Sequence, residues 1–212
     1  MTWGVTTWWL VLAGAAAAAG AGPVLLPGGD AGGWTERSFE GHTVYHREVV
    51  DQVPALRATA DASASGLYRE QRVSLQQWPV LRWRWRIEQS VMAPDERARD
   101  GDDFAARVYV IAAHPYLPWK TRAVCYVWAG RSAVGQDWPN PYTDSVRMLV
   151  LRSGDAQAGR WVEERRDVAA DFRRLFGSAP ERIDAVAVMT DGDQTGARVT
   201  AWYTGIGFEA GD

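Results

Sequence analysis

The run Val80–Ile87 (VLRWRWRI) alternates without a break, placing Leu81, Trp83, Trp85 and Ile87 on one side of an extended chain and Arg82, Arg84 and Arg86 on the other. A period of two is the signature of a strand with one face in a core and one in a polar setting. Runs rich in β-branched and aromatic residues recur along the chain between Gly, Pro, Asp and Asn. They predict further strands over Thr43–Val50, Ala55–Ala60, Ala64–Glu70, Phe104–Ala112, Arg122–Ala129, Val146–Arg152, Trp161–Asp167, Ile183–Thr190 and Arg198–Phe208. One helix is expected, Val168–Phe176, with Val168, Phe172, Leu175 and Phe176 at helical spacing and a stop at Gly177 with Pro180 beyond. This many strands with one short helix imply an all-β fold, an antiparallel jelly-roll-like sandwich, because a parallel sheet would need repeated crossover helices.

The first 26 residues read differently. Trp3 to Leu26 is almost wholly apolar or small, and no acidic or basic side chain precedes Asp30. Residues 1–26 are expected to be a signal peptide or membrane anchor, with Ala17, Ala19 and Ala21 supplying an A-x-A-like pattern and cleavage near Ala21. The usual early Lys or Arg is missing and the stretch is long, which keeps an uncleaved anchor open. No Cys lies at the small-residue boundary, which removes a lipoprotein anchor. Residues 27–33 (PGGDAGG) then predict a flexible linker and residues 34–212 the sandwich domain. The expected location is the periplasm or outside the cell, or the inner membrane through an uncleaved leader. Membrane contact is expected only through that segment.

Composition narrows the function classes. A chain of 212 residues with 47% hydrophobic content and a net charge of -3 is an ordinary folded protein, without the basic excess of a dedicated nucleic-acid binder. The single cysteine, Cys125, lies in an apolar stretch and reads as a small buried hydrophobe. His42, His46 and His114, the only histidines, do not assemble a zinc site. There is no G-x-S-x-G elbow, and the glycine clusters lack the context of a phosphate loop.

Candidate ligand residues come from the polar strand faces and the loop aromatics. Three arginines on one strand face call for carboxylate partners or an anionic ligand, and Asp102 and Asp103 precede the next strand, where Asp103, Arg107 and Tyr109 share a face. The polar faces of the two strands are compatible with one face of one sheet, either a solvated surface of ion pairs or a concave ligand face. Trp119, Trp138 and Tyr142 fall in Pro-rich loops (LPWK and DWPNPYT), where rings either stack on a sugar or cap the core. The set for ligand binding is Arg84, Asp103, Arg107, Tyr109, Trp138 and Tyr142. For a metal it is Asp191, Asp193 and Thr195, whose alternating oxygens before Gly196 (DGDQTG) match the start of a calcium loop. The twelfth position is Trp202 instead of glutamate, and a plain turn uses the same residues.

Pro79–Trp85 (PVLRWRW), Gly101–Val110 (GDDFAARVYV), Tyr126–Ala129 (YVWA), Asn140–Thr143 (NPYT), Asp171–Gly177 (DFRRLFG) and Met189–Gly196 (MTDGDQTG) together resemble the bacterial domain-of-unknown-function family 3047. That resemblance implies no activity. The strand pattern also resembles jelly-roll carbohydrate-binding modules, which implies a fold and no more. The sequence is thus read as an extracytoplasmic protein recognising a glycan or an anionic envelope polymer, with calcium as the one cofactor considered and no nucleic-acid partner. Two other readings stay open. One is a glycoside hydrolase using a pair among Asp102, Asp103, Asp144 and Asp191. The other is a structural envelope protein stabilised by calcium. Catalysis and oligomeric state are not decided by the sequence.

Overall fold

The computed structural model describes residues 21–114, 116–117 and 120–211. In chain order the strands are β1 (Ala21–Leu26), β2 (Thr35–Glu40), β3 (Val44–Val50), β4 (Val53–Asp61), β5 (Ala64–Ser74), β6 (Val80–Ile87), β7 (Ala106–Ala112), β8 (Arg122–Ala129), β9 (Asp137–Asn140), β10 (Thr143–Ser153), β11 (Val162–Asp167), β12 (Arg182–Asp191) and β13 (Arg198–Glu209), with helix α1 (Val168–Phe176) before β12. They form two sheets. Sheet I runs β11-β6-β13-β4-β3, with β1 also on β13; sheet II runs β2-β5-β12-β7-β8-β10-β9. The expected two-layer sandwich with one short helix is the fold observed. One pair departs from the antiparallel rule: β10 lies parallel to β8, because the intervening chain crosses over and then hairpins through β9 on the outer side of β10.

The alternation of β6 places its apolar side between the sheets. Leu81, Trp83, Trp85 and Ile87 are buried there while Arg82, Arg84 and Arg86 face outward. Across the sandwich the Trp83 ring lies 5.3 Å from Tyr126, and Trp85 lies 5.8 Å from Trp128, so β6 of sheet I interlocks with β8 of sheet II through large rings. Three of the four polar tips find partners: Trp85 Nε1 donates to Glu164, Trp128 Nε1 to the Gly154 carbonyl, and the Tyr126 hydroxyl to Asp171, whereas Trp83 Nε1 is buried without a partner among the described residues. The helix ends as its sequence predicts, with Gly177 left-handed at φ 79°, and at its start Asp167 accepts from Ala170 N.

The sandwich begins earlier than expected. Residues 1–20 of the expected leader lie outside the described residues, but its last six form β1, paired with β13, and Leu25 and Leu26 are in the core. The PGGDAGG segment is not a free linker either. It closes as a 3-10 turn at Pro27–Gly29, and a Cβ on Gly29 would meet the Ala55 carbonyl carbon at 2.0 Å. Only glycine permits that approach. Among the described residues no helix is long and apolar enough to cross a membrane.

A second, smaller core lies on the outer side of sheet II. Cys125, Val127, Met148 and Val150 face away from the main core and are covered by Phe104 and Trp138. The segment between β6 and β7 is held over this face by buried Glu96, whose carboxylate accepts from the backbone N–H groups of Gly130, Arg131 and Ser132. A Cβ on Gly130 would meet the Val91 carbonyl oxygen at 1.9 Å. That closeness seats the clamp and explains how an outward sheet face becomes an interior.

Candidate functional site

Seven of the nine residues singled out from the sequence converge at one end of sheet II, where β7 begins, β12 ends and the segment around residue 142 folds over. β7 turns Arg107 and Tyr109 to the outer side of sheet II, and β12 delivers Asp191 next to them. Arg107 is 2% exposed. Its Nε donates to Asp191 Oδ1 at 2.9 Å and a terminal nitrogen donates to Asp191 Oδ2; the other terminal nitrogen reaches Asp102 Oδ1 at 3.3 Å. Its plane lies over the Phe104 ring, 4.6 Å from the centroid. Asn140 donates to the other Asp102 oxygen at 3.2 Å. Asp103, fully buried, reaches across to the DGDQTG turn and accepts from Gln194 N, Thr195 N and Thr195 Oγ1.

Two of the three residues expected for a metal, Asp191 and Asp193, lie together with Asp103, and the third, Thr195, donates its hydroxyl to Asp103. One oxygen from each of Asp103, Asp191 and Asp193 lies within 4.8 Å of the others, close enough to hold a metal ion. Asp193 Oδ1 is shielded from solvent and has no hydrogen-bond partner among the described residues.

The electrostatics follow from the count. Among the described residues Arg107 is the one cation that ion-pairs in this cluster, with Asp102 and Asp191, while Asp103 and Asp193 lie beside Asp191. Burial pushes the Asp191 carboxyl up to about 7 against the opposing pull of Arg107, and burial also raises Asp102 and Asp193. Burial alone would lower the Arg107 pKa, but Asp102 and Asp191 hold it well above its usual value. The cluster therefore carries more negative charge than its own cation offsets, and a proton or a second cation has a place there.

The loop aromatics divide. Trp138 is buried against Phe104, with Arg97 over its ring at 5.5 Å, and caps the smaller core. Tyr142 is 52% exposed; Arg99 covers one face of its ring at 5.1 Å, and its hydroxyl donates to the Arg99 carbonyl. Burial, then the Asp102 and Asp193 charges, raise the Tyr142 hydroxyl, which sets this ring beside the carboxyl cluster. Trp119 lies outside the described residues.

Arg84 is not part of the site. The expectation that β6 and β7 share a polar face fails because the strands belong to different sheets, so Arg84 faces solvent on the opposite side of the sandwich, stacked on Trp161 at 5.3 Å. Of the four hydrolase candidates, Asp102, Asp103 and Asp191 stand together in this cluster and Asp144 does not. Asp144 lies near the opposite end of β8 from Asp102, Asp103 and Asp191, and Asp191 is enclosed with both oxygens on Arg107. Asn140 went unassigned in the sequence; its place in NPYT, after a tryptophan and before an exposed tyrosine, marks a turn but not the carboxylate it would reach.

The sequence model of a family described as Protein of unknown function (DUF3047) matches residues 32–207. No curated protein matches the chain in sequence. Solved structures with a similar architecture include the family 11 carbohydrate-binding module from Clostridium thermocellum in complex with a β-1,3-1,4-mixed-linked tetrasaccharide, at 11% identity over 91% of this chain and 96% of that one, with a TM-score of 0.48. The family 30 carbohydrate-binding module of a cellulosomal cellulase of Clostridium thermocellum is 10% identical over 91% and 95% of the two chains, with a TM-score of 0.47. A family 29 carbohydrate-binding module from Piromyces equi is 10% identical over 91% of each, with a TM-score of 0.37. Likenesses at these levels bear on no residue and no ligand of this chain.

Proposed function

The chain belongs to the DUF3047 family, whose description names no activity, and from that premise we propose that its sandwich is an exported glycan-binding domain whose recognition end is ordered by a divalent cation, calcium. The observation that carries the reading is the surplus of buried negative charge beside an exposed tyrosine ring. Asp103, Asp191 and Asp193 offer hard oxygen ligands, and their existing hydrogen bonds leave most of a coordination shell to other oxygens. Calcium takes six to eight oxygens in flexible geometry and suits such an incomplete set better than magnesium, which demands a near-ideal octahedron. The remaining positions suit water or the paired hydroxyls of a sugar. Tyr142, with one ring face covered by Arg99, has the other available to the C–H face of a pyranose. Export is supported by the apolar, charge-free sequence ahead of Asp30.

Thermal unfolding of the wild type and of Asp193→Asn, each in calcium and in chelator, tests the cation. A ligand at one hundred times its Kd adds about 2.7 kcal/mol to stability, so the wild-type midpoint should rise in calcium and the variant's should not. A wild type indifferent to millimolar calcium, or a variant that keeps the full rise, sinks the reading. Glycan binding at this end should then weaken on Tyr142→Ala and vanish in chelator.

A further inference from the structure

The open side of the sandwich, between edge strand β2 of sheet II and edge strand β3 of sheet I, holds a cleft of about 390 Å³ that the carboxyl cluster does not touch. Leu56 and Leu67 close it from the core side, and Trp34, Tyr45, Glu36 and Arg47 line it nearer to solvent. The volume is within the ~300–1,000 Å³ of small-molecule sites.

The cleft is built. One wall is the segment whose composition marks a linker. Asp30 N donates to the Pro27 carbonyl, Trp34 N to the Ala31 carbonyl, and Gly29 is locked against Ala55, so the segment holds one shape. Trp34 Nε1 donates to the Leu25 carbonyl at 3.1 Å, and the Tyr45 hydroxyl donates to the Ser65 carbonyl at 2.6 Å; each ring is pinned by its polar tip, which leaves the apolar body to the cleft. Arg47 Nε donates to the Gly28 carbonyl at 3.1 Å, and no carboxylate among the described residues pairs with its guanidinium. Glu36 Oε1 accepts from Ser65 Oγ and faces His42, and the Ser65 bond in particular holds the carboxyl below the usual range, so it is an ionised acceptor at neutral pH.

We propose that this cleft binds one ring of a neutral oligosaccharide. Aromatic walls over an aliphatic floor suit the C–H face of a pyranose. Glu36 accepts from a hydroxyl, and Arg47 donates to a neighbouring oxygen. Asp30 and Glu36 balance or outweigh Arg47 at the rim, which disfavours a uronate. The inference rests on the glycan reading but not on the cation.

Calorimetric titration in chelator, with cellotetraose, laminaritetraose, maltotetraose and tetragalacturonate as probes, tests it. Arg47 and Glu36 are exposed, so Arg47→Ala and Glu36→Gln should keep the wild-type unfolding midpoint. At least one neutral tetrasaccharide should bind the wild type, about tenfold more weakly to either variant, and equally well to Asp193→Asn. Absence of neutral-sugar binding at millimolar concentration, affinity indifferent to both rim variants, or tighter binding of tetragalacturonate would overturn it. Loss of binding in Asp193→Asn alone would also overturn it, while leaving the cation site standing; loss of calcium stabilisation alone would leave the cleft standing.

Discussion

Arg107 is the residue on which the acid cluster depends. Removing one partner of a buried ion pair costs about 3–5 kcal/mol, because the other charge is left in a medium that cannot solvate it. Arg107→Met should therefore lower the unfolding free energy measured in urea by that order, and an effect below about 1 kcal/mol would mean that Asp102 and Asp191 protonate or hydrate freely. Cys125 sets the opposite expectation: burial pushes its thiol up to about 12, so at pH 8 it stays protonated and unreactive to a disulfide reagent until the protein unfolds. Reaction in the native state would place Cys125 outside the smaller core. Alternation in β7 was enough to put Asp103, Arg107 and Tyr109 together, because the period of a strand is local information. It was not enough to exclude Arg84, because which sheet a strand joins depends on partners more than a hundred residues away, such as β13 beside β6. Trp138 and Tyr142 show the same limit within one loop: whether a ring is covered depends on the path of residues 88–105, which their own neighbours do not encode.

Strands with a readable apolar or β-branched run were legible; β1, β2 and β9 were not. β2 (TERSFE) is exposed along its whole length and has no apolar period to read, and β9 (DWPN) is short and carries a proline. β1 (AGPVLL) hid for the opposite reason, since its apolar residues continue those of the stretch ahead of it. The segment from residue 88 to 105 has little regular structure and is positioned by Glu96. Replacing Glu96 by Ala leaves three backbone donors without their acceptor, at about 1–3 kcal/mol for each that stays buried. Hydrogen exchange should rise at residues 130–132 before it rises in the sheets; uniform exchange would show that other contacts hold the segment. Helix α1 is tied to β9 through Arg174 and Asp137. Burial tends to raise the Asp137 carboxyl, but hydrogen bonds from Arg174 and Arg147 overcome this and lower it. A depressed carboxyl contributes stability above its unfolded pKa and loses it as pH falls through the folded one, so this tie should weaken only in strong acid.

At the scale of the molecule, the pairing of residues 21–26 with β13 has the largest energetic consequence. A chain beginning at Trp34 lacks Leu25 and Leu26, both in the core, and the β1 pairing with β13. Losing two buried leucines costs about 2–5 kcal/mol each, so a chain beginning at Gly22 should unfold well above one beginning at Trp34 in a thermal scan. Equal midpoints would show that β1 is only draped on the surface.

The position of β13 has a further meaning in time. It is the last described strand to leave the ribosome, yet it occupies the middle of sheet I, between β6 and β4, with β1 alongside. Until β13 is made, β6 and β4 have no shared neighbour, and Trp83 and Trp85 have only half of a sheet behind them. Domains rich in such distant pairings close slowly and late. Sheet I therefore stays in two pieces, the β3–β4 pair and the β6–β11 pair, until β13 has been made and joins them.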